Sequence, residues 1–242
     1  ELLRVVFDTH TATAEHEGKG FDVKKHHDFA RKAAAQSIVL LKNEHHILPL
    51  SSEKTVAVIG DFAKTPRYQG AGSSLVNPTK EAENILDLMA SYPISYLDYA
   101  RGYVRNKKAD EKLIMEAVEL AKKADVVLLC VGLDEISESE GLDRTHMRMP
   151  QAQVALIERV AAVNKNVVVV MSAGSSVEMP WADQVAAIVH GYLGGQAGAS
   201  AMLDVLTGAV CPSGKLNETY AYALEDVAST SYYPAIERSS EY

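Results

Sequence analysis

Apolar residues along this chain gather into short unbroken runs separated by longer amphipathic stretches. "TVAVIGDFA" (55–63), "ISYLDYARG" (94–102), "DVVLLCVGL" (125–133), "NVVVVMSAG" (166–174) and "VAAIVHGYLG" (185–194) read as strands. They are largely continuous rather than alternating, the mark of strands covered on both faces. Between them lie helical patterns at 79–92, 108–124, 150–164 and 196–210. In 108–124, Leu113, Ala117 and Leu120 share one stripe. Pro150 opens its helix, and Thr79 is a candidate cap. A first helix is expected over 22–44, capped by Asp22, with Phe29, Ala33, Ile38 and Leu41 on its apolar face. Strands alternating with helices predict an α/β fold: a mostly parallel sheet with crossover helices on both faces.

Two ends stand apart from this alternation. "ELLRVVF" (1–7) is apolar and short, and "DTHTATAEHEGKGFD" (8–22) has the polar, glycine-containing character of a linker. Residues 211–242 are irregular and expected to wrap the sheet or reach a neighbour. The start without methionine and the abrupt "ERSSEY" end suggest a piece of a longer protein.

The 242 residues are 47% hydrophobic and 23% charged, enough for a full core. The net charge of −8 and the lack of basic runs argue against nucleic acid or an anionic membrane surface as partner. No apolar stretch approaches the length of a membrane span. Cys130 sits in an apolar run, and with Cys211 it makes neither a disulfide framework nor a zinc site. This cysteine usage fits a reducing compartment, so a cytoplasmic location is favoured slightly over the alternatives.

In an open α/β sheet, ligands collect beyond the C-terminal ends of the strands. Three loops should meet there: "GDFAKTPRYQGAGSS" (60–74), "DEISESEGLDR" (134–144) and "AGSSVEMPW" (173–181). "AVIG" (57–60) opens a loop as in dinucleotide folds, but Gly70 and Gly72 come about ten residues late for a phosphate-binding turn. Ser175 lacks the second glycine of a nucleophile elbow, and His190 lies inside an apolar run, where a core histidine is the simpler reading. The pairs His26–His27 and His45–His46 point about 100° apart on a helix, cannot share a metal easily and read as surface residues. The acidic loop is either a solvated turn or the seat of a general acid. A glutamate crowded by carboxylates and partly buried would have its pKa raised.

"ESEGLDRTHMRMPQAQ" (138–153) closely resembles a motif of family 3 glycoside hydrolases. "ARKAAAQSIVLLKNEHHILPL" (30–50), "RYQGAGSSLVNP" (67–78) and "HGYLGGQAGASAMLDVLTGAVCPSGKLNETY" (190–220) resemble further motifs of that family, in the same order. The resemblance implies a three-layer (α/β)6 sandwich over 22–220, preceded by the tail of a (β/α)8 barrel and its linker (1–21) and followed by a segment (221–242) leading toward another domain. It implies a retaining β-glycosidase, most simply a β-glucosidase, releasing terminal β-linked sugars from glycosides or oligosaccharides without cofactor or metal. By motif the acid/base falls on Glu140, with Glu138 as second candidate. Asp143 and Arg144 would fix the loop and border the sugar, and Tyr68, Gln69 and Ser73 would line its site. The family's Ser-Asp-Trp nucleophile motif is absent, and the one tryptophan reads "EMPWAD". The chain should therefore carry half of an active site and hydrolyse nothing alone, its partner being the barrel of the same enzyme. The alternatives are a carbohydrate- or partner-binding module without chemistry, or a Rossmann-like nucleotide binder.

Overall fold

Six strands form one sheet in the order β1-β6-β5-β4-β2-β3. The computed structural model describes residues 1–16, 18, 20–78 and 81–232. The strands are β1 (Val39–Asn43), β2 (Thr55–Ile59), β3 (Ser95–Ala100), β4 (Val126–Gly132), β5 (Val167–Ser172) and β6 (Ala187–His190). β2 to β6 run parallel, and β1 joins β6 antiparallel, with Val39 opposite His190. The mostly parallel α/β sandwich expected from the sequence is the fold observed.

The edge strand β3, expected to be covered on both faces, is exposed over residues 95–98 because no strand or helix pair encloses it. The other parallel strands are apolar on both faces for a simple geometric reason. Successive side chains on a strand point to opposite faces. On β4, Val127, Leu129 and Val131 pack with α4 (Glu111–Ala121) and α5 (Gln151–Val163). The intervening Val126, Leu128 and Cys130 pack with α2 (Val23–Ser37), α3 (Ile85–Leu88) and α6 (Gly198–Leu206). Only residues without strong polar demands fit such a strand, and the central valine runs follow from that.

Three elements depart from the sequence expectation. The helix expected over 22–44 ends at Ser37, and the next residues form β1. Asp22 does cap it, its carboxylate accepting from the Lys25 amide at 3.0 Å. No glycine or proline separates helix from strand, so "SIVLLKN" continues the apolar pattern while the backbone changes. The buried face also differs in part from the one expected: Ile38 is buried as expected, but Phe29 is 74% exposed, Ala33 is exposed, and Ala35 is buried instead. The helix expected over 79–92 is a single turn, Ile85–Leu88, followed by a 3-10 turn, Met89–Ser91. Asn84 caps it through the Asp87 amide, and Thr79 lies outside the described residues. The backbone before it serves another contact, because the Glu83 amide donates to the Gln196 carbonyl at 3.2 Å. The apolar start is α1 (Leu2–Glu15), a helix that runs through half of the expected linker and buries none of its residues.

Polar ties fix the helices on the α2 side. Arg31 donates to Asp204 at 2.7 Å, and the Tyr92 hydroxyl joins the same carboxylate at 3.1 Å. His27, expected at the surface, is half-buried and pairs with Glu83 at 2.6 Å.

The tail crosses the β1 edge. The Gly214 amide donates to the Ile38 carbonyl at 3.0 Å, and the Met179 amide donates to the Ala221 carbonyl at 2.9 Å. His190 is a core histidine, as expected: fully buried, with Nε2 2.8 Å from the Tyr220 hydroxyl of the tail. Burial pushes its imidazole down to about 4, outweighing the opposite pull of the Met171 carbonyl and the Glu138 charge. A histidine held neutral in the fold but free to charge when unfolded destabilises the fold as pH drops. The loss begins near the ordinary value of 6.5 and is complete below about 4. Its full size is roughly 3 kcal/mol. We expect His190→Gln to flatten the stability-versus-pH slope of the chain between those limits. Equal slopes in urea titrations of both proteins would contradict this.

Candidate active site

Three strand ends deliver the functional loops to one rim. β2 leads into residues 60–76, β4 into 133–149 and β5 into 173–181. Together with Leu193 they line a cleft of about 460 Å³ that holds Arg67, Ser73, Glu138, Glu140, Asp143, Arg144 and Ser175. The sharing of one rim, expected from topology, is what the structure shows.

The acidic loop is tied at both ends. Asp134, almost fully buried, accepts from the amides of Ile136 and Ser137 and so turns the chain as it leaves β4. Arg144 closes the far end by donating to the Ser175 hydroxyl at 2.9 Å and the Ser176 carbonyl at 3.0 Å. Asp143 is exposed and lines the cleft.

The two candidate glutamates have different surroundings. Glu138 is half-buried, and its carboxylate accepts from the Gly174 amide at 2.9 Å and the Ser175 hydroxyl at 2.7 Å. Gly174 permits this approach, since a Cβ there would stand 3.0 Å from Oε1 of Glu138. Glu140 is exposed toward the cleft. Its carboxylate accepts from the amide of Ser73 at 2.6 Å and from the Ser73 hydroxyl. These two bonds stabilise the ionised form and hold Glu140 below the usual carboxylate range. A raised value, expected from crowding and burial, is not found in this chain. The reason is that Glu140 faces solvent and its nearest polar partner is a donor.

Glu140 and the "RYQGAGSS" loop are interlocked. The Glu140 amide donates to the Ala71 carbonyl at 3.2 Å. Gly72, at φ +91°, would place a Cβ 2.6 Å from the Glu140 Cβ. Glycine is required there both for backbone conformation and for space.

Of the other residues singled out in the sequence, Ser73 lies in the cleft and Tyr68 and Gln69 do not border it. Gln69 staples its own loop, exchanging hydrogen bonds with the backbone of Val76 and donating to the Tyr68 hydroxyl. The Tyr68 carbonyl accepts from the Gly195 amide at 2.8 Å, which binds this loop to the one after β6. Arg67 was missed by sequence reasoning. A single arginine in a polar loop carries no local signal that its guanidinium folds inward. Among the described residues, no group of three or more His, Cys, Asp or Glu side chains is placed to hold a metal ion.

Comparison with known proteins decides the family. The profile of the glycosyl hydrolase family 3 C-terminal domain matches residues 38–242. This chain belongs to glycoside hydrolase family 3. It carries that family's C-terminal domain. It is 45% identical to thermostable beta-glucosidase B of Acetivibrio thermocellus over 100% of its own length and 32% of that protein. It is 46% identical to an exo-alpha-(1->6)-L-arabinopyranosidase of Bifidobacterium longum, over 92% of the chain and 30% of that protein. The crystal structure of the Bifidobacterium adolescentis family 3 beta-glucosidase superposes with a TM-score of 0.88 at 44% identity, covering 97% of this chain and 34% of that one. The chain thus spans about a third of the length of these family 3 relatives.

Gly72→Ala tests the interlock. We expect it to cost about 1–3 kcal/mol of stability. An unchanged urea midpoint would show that the close approach of Gly72 to Glu140 carries no strain.

Proposed function

We propose that this domain supplies the general acid/base, Glu140, of a retaining β-glycosidase that releases terminal β-linked glucose. The observation that carries the reading is the contrast between the two glutamates in the cleft. Glu138 has both carboxylate oxygens on protein donors, whereas Glu140 accepts both Ser73 bonds on Oε2 and turns Oε1 to the open cleft. A group that must give and regain a proton has to reach the reacting oxygen, and Glu140 has that access. Its place in "SEGLDR" agrees with the family motif.

The nucleophile would come from a (β/α)8 barrel in the same protein, seated over the rim. Two observations support a cover. The relatives are about three times as long as this chain. Four large apolar side chains, Leu75, Val76, Ile136 and Leu142, stand 60–67% exposed on the two loops that hold Glu140. Such a cluster is the surface expected where another domain sits. Enclosure would also supply what the open chain lacks. Excluding water and bringing a second carboxylate to about 5–5.5 Å would push Glu140 upward and let it hold a proton.

In the first step Glu140 would protonate the departing glycosidic oxygen while the barrel carboxylate attacks the anomeric carbon. In the second it would take a proton from water as the glycosyl-enzyme bond breaks. Ser73 favours the ionised form needed for that second step.

Full-length Glu140→Ala should hydrolyse cellobiose about 10²–10⁴-fold more slowly. It should retain far more activity on activated aryl β-glucosides, with azide restoring turnover. Intact cellobiose hydrolysis would exclude Glu140 as acid/base. Assays with aryl β-D-glucosides and aryl α-L-arabinopyranosides decide the sugar, since relatives bearing either name are equally similar. Ser73→Ala removes the hydroxyl donor and keeps the amide, so the hold on the ionised carboxylate weakens and Glu140 should rise. The basic limb of kcat/KM should then move to higher pH, and a shift to lower pH would contradict this role of Ser73.

A further inference from the structure

A ladder of alternating charge runs along the rim and ends at the acidic loop. Arg101, just after β3, donates to Asp61 at 2.8 Å. Asp61 also accepts from Arg105 at 2.7 Å. Arg105 lies over the Phe62 ring and donates to Glu135 at 3.1 Å. Glu135 stands 3.8 Å from Nε of Arg67, and Arg67 stands 3.9 Å from the carboxylate of Glu138. Three arginines and three carboxylates alternate, so each inner charge has an opposite neighbour on both sides.

Arg67 is the rung that matters for Glu140. It is only 3% exposed, and desolvating a guanidinium that deeply costs several kcal/mol. Within hydrogen-bond distance it meets two backbone carbonyls on different loops: Gln69 on its own, and Glu138 at 2.9 Å. A planar fork with five donors suits such a bridge, and a lysine ammonium cannot reproduce it. The Gln69 side of the bridge leads to Ala71 and Ser73, which hold the amide and carboxylate of Glu140. The Glu138 side precedes Glu140 by two residues. Both tethers of Glu140 therefore start at one guanidinium.

We propose that Arg67 is a positioning residue that holds Glu140 in register for proton transfer. The proposal rests on the assignment of Glu140 as acid/base and adds to it. Arg67 acts through backbone placement. Its loss should therefore slow the proton-dependent step and leave ground-state sugar binding nearly untouched.

The test uses the full-length enzyme, with wild type, Arg67→Met, Arg67→Lys and Glu140→Ala assayed on aryl β-glucosides of graded leaving-group acidity. For Arg67→Met we expect kcat/KM, which reports the first step, to fall about 100-fold on poor leaving groups and about threefold or less on activated ones. On activated substrates kcat and KM should fall together, because Glu140 also serves as base in the second step. Added guanidinium chloride should recover part of the loss, and Arg67→Lys should not behave as wild type. A merely structural role predicts equal losses for every leaving group, and that pattern, or no loss at all, would overturn the proposal. If Arg67→Met does not fold, Glu135→Gln decides. This variant removes the neighbouring rung without orphaning Arg67, and it should show the same leaving-group bias at about threefold. An unbiased Glu135→Gln would then count against the ladder. If Glu140→Ala lacks leaving-group dependence, the assignment of Glu140 falls and this proposal with it. If Glu140→Ala shows that dependence and Arg67→Met does not, the inference about Arg67 alone is wrong.

Discussion

Burial of the central strands on both faces is the constraint from which the rest follows. A strand such as β4, in which all seven residues are buried, has no place for a functional polar side chain along its length. Charge can leave the sheet only where strands end. At the C-terminal rim Asp61, Asp134 and Arg67 appear as soon as β2 and β4 give way to loops, and all three are buried. They are affordable there because backbone donors and acceptors from neighbouring loops meet them at short range.

The sheet was legible because of that same constraint. Valine-rich runs with no polar alternation admit few readings, and three of the five runs seen in the sequence bracket their strands closely, while 55–63 overshoots β2 into the 3-10 turn Asp61–Ala63. The fifth, 185–194, shrinks to Ala187–His190 because a glycine follows and the chain turns toward α6. β1 was hidden for the opposite reason. Ile38 to Leu41 fit a helix as well as a strand, and only pairing with β6 decides between them. This is tertiary context overriding a local pattern. The turn at Ile85 was overestimated in the same way, since its upstream residues have tertiary partners that a periodicity count cannot see.

The site was legible in part. Acidic residues beyond a buried strand raised the question of a catalytic carboxylate, and the family motif narrowed it to two. Their separation in the structure depends on Gly174, Ser175 and Ser73, which come from two other loops. No spacing within "EISESEGLDR" encodes those partners. Arg67 was invisible for the same reason, because its burial depends on the acidic loop closing over its own. Gln69 staples its own loop outside this cleft, and in sequence a glutamine that does so and one reaching outward look alike.

The path of the tail has a consequence for how the domain behaves in company. β1 is an edge strand, and an uncovered edge offers unpaired amides and carbonyls to any extended chain. Gly214 occupies the carbonyl of Ile38 at the start of that edge, and Tyr220 is moored to His190 on the adjoining strand. The tail therefore guards against strand addition. A protease that clipped the chain just after α6 would release the ties to Ile38, to Met179 at the rim and to His190 in the core. It would also expose a flat hydrogen-bonding ladder through which domains could associate.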